Sequence, residues 1–406
     1  MMATKRRRLS CCVLIRRSFF LLFVAAITLT LSGCWESTDL DDIAYVHQLA
    51  VTYEHGFYHI YMGILDISQV AETSEKQAPG GKQSPIWVAK AQGKTVLEAI
   101  NKVYPTSPER IAWSQFNILI LHDSVLHGHL KDVLETLTRY RELRYTAWIY
   151  GTHSPVKWIF TSKFPIEKNP LYYYITNPIG VEQFGYIFPG MRLNEFIRQL
   201  NEPGCTPLLP EIRHLKKQQV KWYNGKKTMD EGSVSSVGVF SAGRFVDWYQ
   251  SADAAGLLWA RTGGIRIPLL LTKPSRTFVY LHTNKVKIKS YKKNNKFYYK
   301  MQVTGDADVS ALSQGINEDE LIKTLDQKLA SDIRKSYLIG VTLHSDVFNL
   351  GQIAYHQLFF IWPTRSLSKT IHSLQLQPDS LQEIVVKMRI THSGMRDMSQ
   401  SDFAQK

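Results

Sequence analysis

The chain alternates between two hydrophobic rhythms, a two-residue period that predicts strands and a three-to-four-residue period that predicts helices. Residues 45–53 and 57–66 are β-rich runs around Glu54-His55-Gly56, a hairpin pattern. Thr95-Val96-Leu97-Glu98 has the form of a capping box and predicts a helix to Tyr104, stopped by Pro105. Residues 116–121 form an apolar strand. Leu130, Val133, Leu134, Leu137 and Tyr140 share one face of a helix expected over 126–143. Residues 145–150 predict a further strand, and Ser154-Pro155 predicts a helix start. Residues 193–200 predict a short helix.

In the second half, strands are expected at 237–240 and 245–248 around a three-residue turn, Ser241-Ala242-Gly243. A helical piece follows at 253–259. Long strands are expected at 277–289 and 297–304, joined near Asn294-Asn295. Asn317 stands as the cap of a helix bearing Leu321, Leu325, Leu329 and Ile333. Ile384, Val386, Met388 and Ile390 alternate with Val385, Lys387, Arg389 and Thr391, a half-buried last strand. Turn-rich polar stretches at 72–84 and 165–192 read as loops. The expected class is α+β and multi-domain, with mixed sheets and packed helices in the first half. The second half is expected to be a largely antiparallel sheet with one long helix. The expected domains are 34–207 (N-terminal α/β) and 208–406 (C-terminal α+β), divided at the proline-bearing stretch 205–210.

The first 33 residues follow a different pattern. Lys5, Arg6, Arg7, Arg8, Arg16 and Arg17 precede an apolar run over 19–31, too short for a spanning helix. Leu31-Ser32-Gly33-Cys34 then reads as a lipobox. It predicts a signal peptide cut between Gly33 and Cys34, with Cys34 receiving an S-diacylglyceryl group and an N-acyl chain such as palmitate. Trp35 would sit at headgroup level, where an amphipathic ring is favoured. The net charge of +14 falls to +8 once the six basic residues of that leader are set aside. An excess of that size still favours anionic surroundings. Beyond the leader and Cys34 the only cysteine is Cys205, so no intrachain disulfide is expected.

Catalytic chemistry finds little support. There is no G-x-S-x-G elbow, C-x-x-C pair or complete phosphate loop. Gly93-Lys94-Thr95 resembles the end of one, but Val88 stands where its first glycine belongs. His122, His127 and His129, like His55 and His59, lack the further ligands that would complete a metal site. Asp39, Asp41 and Asp42 lack the glycine and distal acid of a calcium loop. No catalytic residue, cofactor or metal is expected. Lys285, Lys287 and Lys289 fall on one strand face opposite Val286 and Ile288, and Lys292, Lys293, Lys296 and Lys300 extend the patch. A second basic stretch covers 214–227. For an exported chain these are candidate contacts for anionic headgroups or an acidic partner, not for nucleic acid.

Several motifs together resemble the Ger(x)C spore germination lipoproteins, the C subunits of GerA-type germinant receptors. Gly33-Cys34-Trp35 followed by acidic residues is similar to that family's start. Arg139-Tyr140-Arg141-Glu142-Leu143-Arg144 is similar to its R-D-x-E-L-R helix end. Val237-Gly238-Val239-Phe240, Val246-Asp247-Trp248 and Gly256-Leu257-Leu258-Trp259 follow the order of its second domain. Two features depart from the pattern: Trp248 replaces a glycine-leucine step, and the tryptophan-rich segment before the last strand is reduced to Trp362. The resemblance implies a non-enzymatic lipoprotein on the outer face of the cell membrane or the inner spore membrane. It further implies assembly with multi-pass A and B subunits in a complex that senses a small nutrient germinant. The alternatives weighed against it are a solute-binding lipoprotein of an uptake system and a wall-modifying enzyme.

Overall fold

The computed structural model describes residues 42–65, 86–161, 175–178, 188–215, 223–224, 227–228, 231–250, 252–261, 266–272, 276–294, 296–312, 317–358 and 376–392, with Phe20 and Phe23. Met1–Ile43 and Ala44–Lys406 are separate compact units, and the first lies almost wholly outside the described residues. The expected loop at 72–84 and most of that at 165–192 also lie outside them.

β1 (Ile43–Glu54) and β2 (Phe57–Leu65) form the expected hairpin, closing at the Glu54–Phe57 pair. Its central residues, His55 and Gly56, have φ of 52° and 84°. Positive φ at both positions gives a turn whose twist matches that of the flanking strands. β3 (Ile86–Gly93) pairs with β2 at the edge. The capping box forms: Thr95 Oγ1 accepts from Glu98 N at 3.1 Å, and Glu98 Oε2 accepts from Lys94 N at 2.8 Å. The residues that resembled a phosphate loop are therefore a strand end and a helix cap. The helix they start, α1 (Val96–Asn101), is shorter than expected, and Pro105 sits in a separate 3-10 turn, Tyr104–Thr106.

β4 (Arg110–Ala112) pairs with β1, and β5 (Ile118–His122) runs parallel to it. The single helix expected over 126–143 is two helices, α2 (Asp123–Leu126) and α3 (Leu130–Arg139), broken at His127-Gly128-His129. β6 (Trp148–Thr152) continues the parallel set and is followed by α4 (Val156–Thr161). β7 (Met191–Arg192) leads into α5 (Leu193–Asn201). β8 (Leu208–Leu215) then lies beside β6 in parallel. β8 also pairs antiparallel with β11 (Glu231–Ser241), which pairs with β12 (Arg244–Tyr249). The β11–β12 turn has two residues, not three: Ala242 and Gly243, with φ of 48° and 76°, lie between the paired Ser241 and Arg244. A small ladder joins β9 (Tyr223–Asn224) to β10 (Lys227–Thr228). The ten-stranded sheet thus has the path β12-β11-β8-β6-β5-β1-β2-β3, and it runs without a break across position 207/208.

After α6 (Ala255–Arg261), β13 (Arg266–Leu271), β14 (Thr277–Lys293), β15 (Lys296–Leu312) and β16 (Leu381–His392) make a four-stranded sheet in that order. Its first two pairings are antiparallel and the last is parallel. The long helix, α7 (Glu318–Thr342), buries Leu321, Leu325, Leu329, Ile333 and Tyr337 at the spacing expected from sequence. α8 (Leu350–Leu358) packs near β14. Val237, Val239 and Tyr249 of the first sheet share one core with α7 and the second sheet. The class is α+β, as the hydrophobic pattern predicted.

Candidate functional site

Gly33, Cys34 and Trp35 lie outside the described residues. The basic stretch at 214–227 does so for the most part; of its lysines, Lys227 lies among the described residues, in β10 opposite Asn224.

The lysines of β14 are placed clearly. Lys285, Lys287, Lys289 and Lys293 are exposed, whereas Val286 and Ile288 turn inward towards the core of the second sheet. Strand alternation puts Lys292 on the inward-facing side, where its ammonium lies 5.6 Å from the Phe297 ring centre. Pairing then brings in cations that lie far away in sequence. Lys287 is opposite Gln302, Lys289 opposite Lys300 and Lys293 opposite Lys296. Across the next pairing, Lys300 meets Glu383 and Thr304 meets Lys387. Lys300 is held by Glu383 at 2.8 Å, and Arg389 by Asp306 at 2.8 Å. Among the described residues, Lys285, Lys287, Lys289, Lys293, Lys296 and Lys387 have no ion pair. At the far end of the face the Tyr291 and Tyr298 rings stack at 5.8 Å. The reverse face is apolar and carries Tyr299, Met301, Val303, Val386 and Met388 against α7.

The carboxyl ends of the parallel strands, where α/β sheets commonly hold ligands, carry a polar cluster that the sequence reading did not pick out. Glu211 is fully buried and accepts a hydrogen bond from the Ser236 hydroxyl, with His153 Nδ1 against its other oxygen. Burial raises its carboxyl pKa, while Ser236, His153 and Arg213 pull the other way. Trp248 closes over this region. Its ring leaves no room for a Cβ at Gly151, which would stand 2.4 Å from Trp248 Cη2, and its Nε1 donates to Asp123 Oδ1 at 2.8 Å. Glu211 thus contacts serine and histidine at once inside the core.

The histidines serve as caps and packing groups. His122 Nδ1 accepts from Ser124 N at 3.2 Å as the cap of α2, and burial lowers its pKa. His127 pairs with Asp123 at 3.2 Å, and His129 stacks on Tyr53 at 3.5 Å. Among the described residues no group of histidines, cysteines and carboxylates is arranged to hold a metal. Burial pushes the Cys205 thiol up to about 11, so it is a poor thiolate at neutral pH. Instead Cys205 lies in a polar tie. Thr206 N donates to Asn349 Oδ1 at 2.8 Å, and the Arg261 guanidinium donates to Thr206 O and Val347 O, both at 2.9 Å. Among the described residues no helix is long and apolar enough to cross a membrane.

Two family models match the chain in order. Residues 36–214 match the spore germination protein N-terminal domain, and residues 235–394 match the spore germination B3/GerAC-like C-terminal domain. The chain is similar to spore germination protein B3 of Bacillus subtilis (strain 168), at 23% identity over 318 residues, 76% of this chain and 78% of that protein. It is also similar to the putative spore germination protein YfkR of the same organism. That match is 23% identical over 232 residues, 57% of this chain and 58% of the relative's length. Among solved structures it is similar to the GerBC protein, with a TM-score of 0.47 and 13% identity, over 84% of this chain and 96% of that one.

Proposed function

We propose that this chain, which belongs to the GerAC-like family of spore germination proteins, is a lipid-anchored, non-catalytic subunit of a nutrient germinant receptor. The observation that carries the reading is the ordered match of both family domains across residues 36–394, directly behind the Leu31-Ser32-Gly33-Cys34 lipobox. The subunit would assemble with integral membrane A and B subunits, and the complex, not this chain alone, would sense the small-molecule germinant.

Acylation of Cys34 fits the energetics of such a role. Each buried methylene contributes ~0.8 kcal/mol, so diacylglyceryl plus an N-acyl chain gives lasting attachment where a single chain does not. Cys34 and Ile43 are nine residues apart. At about 3.5 Å per extended residue, the start of β1 would stay within about 30 Å of the bilayer. Support for a non-catalytic role comes from the described polar clusters, which are spent on caps, ties and core hydrogen bonds. A solute-binding lipoprotein would carry two similar doubly wound lobes, whereas here one large mixed sheet is followed by a small antiparallel-rich one.

Replacing Cys34 with alanine tests the anchor. The Cys34→Ala chain is expected to lose membrane association and to abolish nutrient-triggered germination of spores that depend on it. Full germination with an unacylated chain would overturn the reading. Co-purification of two multi-pass proteins with the wild-type chain is expected from spore membranes.

A further inference from the structure

We infer that the outer face of the second sheet, built from β14, β15 and β16, docks on anionic phospholipid headgroups and so lays the body of the protein against the membrane. The inference rests on the proposed tether at Cys34, which would hold the chain at a bilayer surface.

The first ground is unbalanced charge. Lys285, Lys287, Lys289, Lys293, Lys296 and Lys387 project from one face with no carboxylate partner among the described residues, while the carboxylates of Glu383 and Asp306 are taken by Lys300 and Arg389. The second ground is arrangement. Lys289 lies directly opposite Lys300, and Lys293 opposite Lys296. Like charges facing each other across strands destabilise a sheet. Glu383 relieves the first pair, but nothing described relieves the second, so an external anion would remove a repulsion built into the fold.

The third ground is what the face lacks. Protein–protein interfaces concentrate aromatic and apolar residues at a desolvated centre and are depleted in lysine. This face is the reverse: lysine-rich, with its apolar residues turned to the other side against α7. A lysine ammonium is a compact, well-hydrated point charge on a flexible stem. That suits a fluid layer of headgroups better than a fixed protein partner. The half-exposed Tyr291–Tyr298 stack at the far end matches the amphipathic rings favoured at a membrane surface.

The test uses the chain from Trp35 onward, which carries no acyl group and contains the whole compact unit Ala44–Lys406. Its sedimentation is measured with vesicles of phosphatidylcholine alone and of equal parts phosphatidylcholine and phosphatidylglycerol. Binding is expected only to the anionic vesicles and should weaken as salt is raised. Each lysine near an anionic surface contributes about a fivefold gain in affinity. The combined Lys285→Gln, Lys287→Gln and Lys289→Gln variant should therefore bind about a hundredfold more weakly. Its circular dichroism and melting should match the parent, because these side chains are exposed. Lys131→Gln, on α3, should leave binding unchanged. Equal binding to both vesicle types, no binding to either, or undiminished binding by the triple variant would overturn the inference, the last two outcomes assigning the lysines to an acidic protein face or to solvent. None of these readings depends on acylation, so failure here is separable from failure of the Cys34 anchor.

Discussion

Asp346 caps the start of α8, accepting from Leu350 N at 2.9 Å and Gly351 N at 2.6 Å, yet burial pushes its carboxyl up to about 6 from 3.8. The folded chain therefore holds this proton more tightly than the unfolded chain does. Its contribution to stability is fully present below pH 3.8 and is lost as the pH rises through about 6. His47 acts in the opposite sense. Burial lowers it to about 4, so its contribution grows as the pH rises towards 6.5. The two overlap in the whole-protein pH profile, and the informative quantity is the difference between the parent and Asp346→Asn. Measured by denaturant unfolding, the stability of the parent relative to that variant should fall by on the order of 1–3 kcal/mol between about pH 4 and 6. A flat difference would show that the ionised carboxyl is fully compensated by its backbone donors. At this scale the sequence is legible for Lys285, Lys287 and Lys289, because alternation alone sets their side. It is silent on Asp346 and Glu211, whose properties come from burial by segments distant in the chain.

Hairpins and helices divide along the same line. The turns at His55-Gly56 and Ala242-Gly243, the helix from Asn317 and the last strand are all marked by local chemistry, and all form. β3 and β13 are unmarked because they are edge strands. Trp87 of β3 is exposed, and β13 carries Pro268, a residue that edge strands tolerate. α8 depends on the side chain of Asp346, which is not the adjacent residue that a sequence rule inspects. The parallel β15–β16 pairing follows from the α7 crossover and has no local signal. For α7 the cap is local and testable. Asn317 Oδ1 accepts from Glu320 N at 2.8 Å, and Glu318, Asp319 and Glu320 favour the positive helix start. Asn317→Ala should cost ~1 kcal/mol of unfolding free energy, and Asn317→Asp should restore it. Because α7 covers the back of the basic sheet, the alanine variant should also lower the melting temperature of vesicle-bound protein.

At the scale of the molecule, two family domains that are separate in sequence share their hydrophobic interior. One face of the ten-stranded sheet has a core in which Leu49, Leu119 and Ile149 pack with Leu209, Phe240 and Phe245. The other joins Ile118, Ile120 and Tyr150 to Ile212 and Val234. A chain ended at 207 loses Leu209, Ile212, Val234, Phe240 and Phe245, and exposes the residues they cover. Burying a side chain of this size contributes ~1.5–3 kcal/mol. The loss is therefore on the order of 10 kcal/mol, comparable to the entire net stability of an ordinary domain. The polar tie adds to this, since Arg261, Asn349 and Gln352 hold the 204–206 connector through Gly204 O, Thr206 N and Thr206 O. Residues 35–406 cannot be halved without cost, so the chain from Trp35 to Lys406 should unfold in one denaturant transition that fluorescence and circular dichroism report together. The separate pieces 35–207 and 208–406 should be insoluble or unfolded. Two resolved transitions, or a soluble, cooperatively melting first piece, would show that the family domains fold independently and that the shared sheet forms by docking. A single transition has a functional consequence. A force or binding event at the basic face of the second sheet would then act on the same cooperative unit that contains the ten-stranded sheet, so contact on either sheet would be felt by both.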